Sequence, residues 1–241
     1  MANSRTPSGQ IALPLDARPR FGREDYMVGV ANQLAYDWCE KWPDWPGPVT
    51  TIVGPSGAGK SHLMTIWQER VQAQHLTVTD LTDDLLSGLT DDALCLALDN
   101  ASDVAGDNGA EEVLFHLFNH LKATGGSLLM AAEEEPSRWP LQLPDLASRL
   151  KSSAVVTLMP PDDAMMAALL VKHFADRQLD VDQAVIDYLL ARMDRSYAAI
   201  RDLVTALDQV SLAERRRITI PLARDILAAR TPAEDPDARG A

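Results

Sequence analysis

No uninterrupted apolar run in this 241-residue chain approaches the roughly 20 residues that a bilayer-spanning helix needs, although hydrophobic residues make up 46% of it. A spanning helix is thereby excluded, no membrane partner is expected, and the reading is of a soluble protein. The opening residues MANSRTPSGQ lack the apolar stretch and small-residue cleavage site of a secretory signal, and there are only two cysteines, Cys39 and Cys95. Both scarcities fit a reducing cytoplasm, where disulfides do not persist. Positive charge is scarce as well, with 22 Lys and Arg against 35 Asp and Glu and a formal net charge of −13. Such a surface repels a phosphate backbone, so direct sequence-specific DNA binding is not expected. The one dense basic run, Arg215 to Arg217, reads as a solvated helix end.

What the chain does have is a change of texture along its length. Short apolar runs rich in Val, Ile, Leu and Ala alternate with longer amphipathic stretches: VTTIV at 49–53, LTVT at 76–79, ALCLAL at 93–98, SLLMAA at 127–132 and AVVTL at 154–158. Continuous rather than alternating apolar character predicts strands covered on both faces, hence an α/β fold with a parallel sheet flanked by helices. Gly125 and Gly126 stop the helical stretch AEEVLFHLFNHLKAT before the next strand. After Pro160 and Pro161 only helical spacing remains, which predicts a small all-α domain. The expected organisation is a flexible arm over 1–20, an α/β domain over 21–158, a helical domain over 159–230 and a flexible tail over 231–241, the two ends being rich in Pro, Gly, Ser and charge.

GPSGAGKS, from Gly54 through Pro55, Ser56, Gly57, Ala58, Gly59 and Lys60 to Ser61, matches G-x-x-x-x-G-K-[ST]. It follows an apolar strand and opens a helical stretch, the context the motif requires. Glycines let successive backbone N–H groups converge on phosphate oxygens, and the following helix presents its positive end. Lys60 is expected on the β and γ phosphates of ATP or ADP, with His62 next to the nucleotide on the same helix. Ser61 and Asp99, the acidic residue ending ALCLALD, are expected to hold Mg²⁺ or its water, although an Asp there can also be a plain turn residue. Asn100 follows, where a brisk ATPase places a carboxylate to orient water, so intrinsic turnover is expected to be weak at most. His116 and His120 lie four apart with Glu112 one turn earlier, but Leu117 breaks the hydrolytic H-E-x-x-H pattern and packing roles are expected. Trp42 and Trp45 are expected to pack a loop before the first strand.

These motifs resemble the DnaA-related AAA+ ATPase family, and within it the Hda group of regulators that switch off the replication initiator DnaA. The resemblance covers nearly the whole chain: beside GPSGAGKS and LDNASDVAGD it rests on MVGVANQLAY, FHLFNHLKATGGSLLMAAEEEP, PDLASRL and YAAIRDLVTALDQV. It implies an AAA+ P-loop sheet followed by a helical lid, an adenine pocket lined from 27–36 with Val28 and Asn32, and a lid residue, Arg201, reaching the nucleotide. It places Glu133 at the first sensor position, where DnaA commonly has a shorter polar residue, and where a solvated loop is the competing reading. Arg149 takes the arginine-finger position and would act catalytically in trans on a neighbouring subunit's ATP.

The same resemblance separates regulator from initiator. DnaA ends in a helix-turn-helix domain, whereas this sequence stops soon after the lid. QIALPL, with Gln10, Ile11, Leu13, Pro14 and Leu15, is similar to peptides that dock on the DNA sliding clamp, the β subunit of DNA polymerase III; in an arm it could instead pack back on the core. The implied partners are the clamp and DnaA, with a homo-oligomer also open. The implied function is negative regulation of replication initiation through hydrolysis of DnaA-bound ATP. The alternatives are an autonomous AAA+ loader and a DnaA-like adaptor.

Overall fold

The computed structural model describes residues 26–90 and 92–230, so the readings placed on Gln10 to Leu15 and on the tail lie outside it. Helix α1 (Gln33–Glu40) precedes strand β1 (Val49–Val53), and α2 (Lys60–Val71) leads to β2 (Gln74–Leu76). A short α3 (Asp83–Ser87), β3 (Cys95–Leu98), α4 (Asn108–Thr124), β4 (Ser127–Ala132), α5 (Pro144–Lys151) and β5 (Ala154–Thr157) complete the α/β part. The strands form one parallel sheet in the order β2-β3-β4-β1-β5. Every residue of β1 and β4 is buried, as continuous apolar runs demand, while the edge strand β5 alternates.

Side chains leave β4 alternately to the two faces. Leu128, Met130 and Ala132 join Leu114, Leu117 and Leu121 of α4 and Leu146 and Leu150 of α5. Leu129 and Ala131 join Ala35 and Cys39 of α1 and Leu63, Met64 and Trp67 of α2 on the opposite face. Trp67 is sealed there by Trp45, stacked at 5.3 Å between ring centroids, and by the edge of Trp42. The indoles of Trp42 and Trp45 donate to Ser127 Oγ and Trp38 O. The loop tryptophans are thus packing and hydrogen-bonding groups. Burial in the same face pushes the Cys39 thiol up to about 12, which removes it as a nucleophile at neutral pH.

One expected strand is shifted. LTVT does not extend through residue 79: β2 ends at Leu76, and Val78–Asp80 form a 3₁₀ turn. The Asp80 carboxylate accepts both the backbone N–H and the hydroxyl of Thr77 at 2.7 and 2.6 Å, and this local capping outcompetes a sheet ladder.

Four helices follow, α6 (Asp163–Asp176), α7 (Gln183–Leu190), α8 (Tyr197–Glu214) and α9 (Ile220–Arg230), around their own core of Met166, Leu170, Phe174, Leu189, Ile200, Val204 and Leu207. Asp162 caps α6 by accepting Met165 N–H at 2.8 Å, and Ser196 caps α8 by accepting Ala199 N–H at 3.0 Å. Each cap contributes about 1 kcal/mol. The second one also fixes where α8 meets the glycine-rich loop.

Candidate functional site

The loop from Gly54 to Gly59 leaves β1 at the carboxyl edge of the sheet and turns directly into α2. Gly54 passes so close to the start of the lid connection that a Cβ there would lie 2.5 Å from Leu158 O. Gly59, with φ +94, is the N-cap of α2 and supplies no side chain, so the first N–H groups of the helix stay open toward the loop. Such an end favours an anion. Lys60 is buried, its Nζ donating to Gly54 O at 2.7 Å and Pro55 O at 3.0 Å. Burial lowers its pKa, opposed by the negative charges of Glu133 and then Asp99.

Ser61 Oγ donates to Asp99 Oδ2 at 2.6 Å, and Asp99 Oδ1 accepts Asn100 N–H at 2.8 Å. Two ligands on adjacent corners of a magnesium octahedron stand about 2.9 Å apart, given bonds of about 2.0–2.1 Å. The Ser61 and Asp99 oxygens therefore fit one small hard cation that keeps most of its waters.

The second wall comes from the lid and the segment before α1. Tyr197, first residue of α8, donates its backbone N–H to Gly57 O at 2.9 Å. Its hydroxyl accepts from Asn32 Nδ2 at 3.2 Å. The second Nδ2 hydrogen of Asn32 goes to Met27 O, and its Oδ1 accepts Gly29 N–H. Asn32, expected to line a base pocket, is buried with its amide engaged in the fold, where it holds the Met27 to Gly29 backbone. Val28 remains 39% exposed, and His62 sets its ring edge-on to buried Tyr26 at 5.0 Å.

Gly57 is where loop and lid meet. Its φ is +72, and a Cβ would stand 2.7 Å from Ser196 Cβ. Gly57→Ala therefore carries a left-handed penalty of about 1–2 kcal/mol and pushes α8 off the loop. Calorimetry is expected to show nucleotide affinity falling at least about tenfold, the counterpart of 1.4 kcal/mol, while far-UV circular dichroism stays native.

Arg201 lies one helical turn beyond Tyr197, partly exposed, its Nε on Asp202 Oδ1 at 3.1 Å. Arg230 from the end of α9 shares Asp202, donating to its backbone carbonyl at 2.5 Å. Arg149 is not brought to this site. Helix α5 returns toward the amino edge of the sheet and feeds β5 at Ala154, level with Thr50 at the start of β1. The loop leaves at the far end of β1, about 13 Å of strand away. The Arg149 guanidinium lies 4.7 Å over the Phe115 ring centroid and 5.4 Å over that of Phe118, half-buried and without a carboxylate partner among the described residues.

Glu111 was not among the expected functional residues, and its environment shows why it matters. The carboxylate is fully buried and accepts N–H groups from Gly106, Gln142 and Leu143 at 2.7–3.1 Å. Burial alone would raise its pKa, but the three backbone donors outweigh it and hold the group below the usual glutamate value. Leu143 is the N-cap of α5, so Glu111 fixes the start of the helix that carries Arg149. In the same helix as Glu111, His116 is exposed beside the Phe115 ring.

Residues 162–227 match the family model described as the Hda lid domain. Domain III of the replication initiation protein DnaA from Thermotoga maritima superposes with a TM-score of 0.75 at 21% identity, covering 88% of this chain and 97% of that one. DnaA from Aquifex aeolicus, solved with AMPPCP bound, gives 0.65 at 20% identity over 82% and 70% of the two chains. A RuvB variant from Thermotoga maritima gives 0.62 at 14% over 83% and 68%. At these identities the likeness establishes a shared AAA+ fold, with a parallel P-loop sheet and a helical lid.

Proposed function

We propose that this chain is a DnaA-related AAA+ protein with an Hda-type lid, a nucleotide-gated regulator of replication initiation that acts on a partner's ATP. The observation that carries the reading is the position of Arg149. It lies at the far end of the strands from the chain's own loop, braced on two phenylalanine rings and without a carboxylate partner among the described residues, as a group offered to a neighbouring subunit should be. Such an arginine stabilises the charge spread over the transferring phosphoryl group.

The chain's own loop holds ADP or ATP, the nucleotide being taken from the chemistry of the loop and from its likeness to a DnaA solved with AMPPCP. Open N–H groups of α2 and Lys60 face the phosphates, Ser61 and Asp99 take Mg²⁺, and Arg201 exchanges Asp202 for phosphate when the lid closes. The ion supplies charge neutralisation when bound. Val28, the Asn32-held backbone and His62 border the base. In this scheme the bound nucleotide orders the lid and self-assembly, and Gln10 to Leu15 tether the protein to the sliding clamp so that DnaA is met on replicated DNA.

The test is a reconstitution with DnaA, clamp and DNA that follows hydrolysis of DnaA-bound ATP. Addition of this chain is expected to accelerate hydrolysis, and removal of its first 16 residues is expected to abolish the clamp-dependent part. Hydrolysis unaffected by the intact chain would refute the proposal.

A further inference from the structure

The lid arginine expected at the nucleotide does not stand free, and the group that holds it is itself shared. Tyr197, whose backbone N–H is bonded to Gly57 O, and Arg201 are one turn apart on α8, so they lie within about 40° of one another on the helix face that meets the loop. Asp202 follows, about 100° round the helix. Its Oδ1 accepts Arg201 Nε at 3.1 Å, which turns the guanidinium toward that flank and off the face that Tyr197 fixes on the loop.

The other side of Asp202 belongs to α9. That helix packs on α8 and α7, and its final residue, Arg230, donates to Asp202 O at 2.5 Å while its guanidinium stays 3.7 Å from Oδ2. The two arginines therefore differ in what holds them. Arg201 is held by the carboxylate, whereas Arg230 is anchored on a backbone carbonyl and keeps its charge beside the carboxylate whichever way Arg201 turns. The side chains of Arg201, Asp202 and Arg230 are 41%, 46% and 39% exposed. Pairs so placed shift an equilibrium by a few-fold, not by orders of magnitude.

We propose that Asp202 and Arg230 are positioning residues that set how readily Arg201 turns to a nucleotide in the loop. Asp202 holds the arginine back, and Arg230 lightens that hold by staying as the carboxylate's counter-ion. The proposal rests on the loop as a nucleotide site and on Arg201 as its lid ligand. It couples the end of α9 to the loop through charge: whatever draws Arg230 away leaves Asp202 to grip Arg201 more tightly. Removing the charge of Asp202 and removing that of Arg230 therefore act on affinity with opposite sign, whereas loss of fold would lower it in both.

Calorimetry with the full chain, Mg²⁺ and AMPPCP tests this. Asp202→Asn is expected to tighten binding by about twofold to fivefold, the counterpart of one exposed ion pair. Arg230→Gln is expected to weaken it by a similar factor. In an Arg201→Ala background both shifts are expected to vanish, because the group they act through is gone; a general field effect of the altered charge would persist there. Equal or weaker binding by Asp202→Asn, equal or tighter binding by Arg230→Gln, or the same shifts without Arg201 would each overturn the positioning assignment. Wild-type affinity in Arg201→Ala alone would instead overturn Arg201 as the lid ligand, and absence of AMPPCP binding by wild type would overturn the nucleotide site beneath both.

Discussion

Arg149→Ala is expected to remove stimulation of DnaA-bound ATP hydrolysis by about 10³-fold or more, the lower end of what an arginine finger contributes. The same variant is expected to keep its own nucleotide and clamp affinities, because Arg149 lies at the opposite edge of the sheet from Gly54 to Ser61. Stability should fall by about 0.5–2 kcal/mol, the range of a cation–π contact, here half-buried over Phe115 and Phe118. Arg149→Lys is the sharper control. It keeps the charge but loses the planar fork and the stacking, so partial rescue would assign the effect to charge and none to geometry. Retention of full stimulation by Arg149→Ala would show that the arginine is a packing residue.

Glu111→Gln is expected to be strongly destabilising for so conservative a change. The substitution keeps the shape, but its amide places a donor against backbone donors of Gln142 or Leu143. Leaving a buried donor unsatisfied costs about 1–3 kcal/mol, so the amide and the backbone N–H it faces together cost about 2–6 kcal/mol. At about 2–4 °C per kcal/mol for a chain of this size, the melting temperature drops by about 10 °C. The pH dependence has a definite sign. The folded-state pKa of Glu111 is lowered, so its stabilisation is fully present above the unfolded glutamate range and is lost as pH falls through the folded value. Wild type should therefore lose stability on acidification below about pH 4.5 more steeply than Glu111→Gln, which denaturant melts at stepped pH will show. Equal acid slopes would mean that other carboxylates dominate.

The contrast between these two residues shows what sequence carries and what it does not. The glycine-rich loop, its strand and its helix are contiguous, so local chemistry alone located them. The central strands were equally legible because burial on both faces leaves a continuous apolar signature in VTTIV and SLLMAA. LTVT misled because a Thr77–Asp80 cap, a side-chain event, overrode the apolar pattern. Glu111 was invisible because it sits on a helix like any surface glutamate, and its two distant partners are 31 and 32 positions away. The bond from Asn32 to Tyr197 was equally hidden, since its partner lies 165 positions along the chain. The sheet order that sets Glu133 beside Gly54 belongs to topology, and no spacing along the chain encodes it.

The Tyr197 contacts carry one more consequence. The lid has a core of its own, and besides the packing of Met27 on that core and of Gly29 against Met165 it meets the rest of the protein at Gly57 through a backbone bond and at Asn32 through a hydroxyl. A ligand in the loop and any partner that held α8 would therefore both act on these bonds. Thermodynamic reciprocity would then fix their relation: whatever factor the ligand contributed to that partner's binding, the partner would return to ligand retention. A partner that let go of α8 would weaken ligand retention in the loop by that same factor.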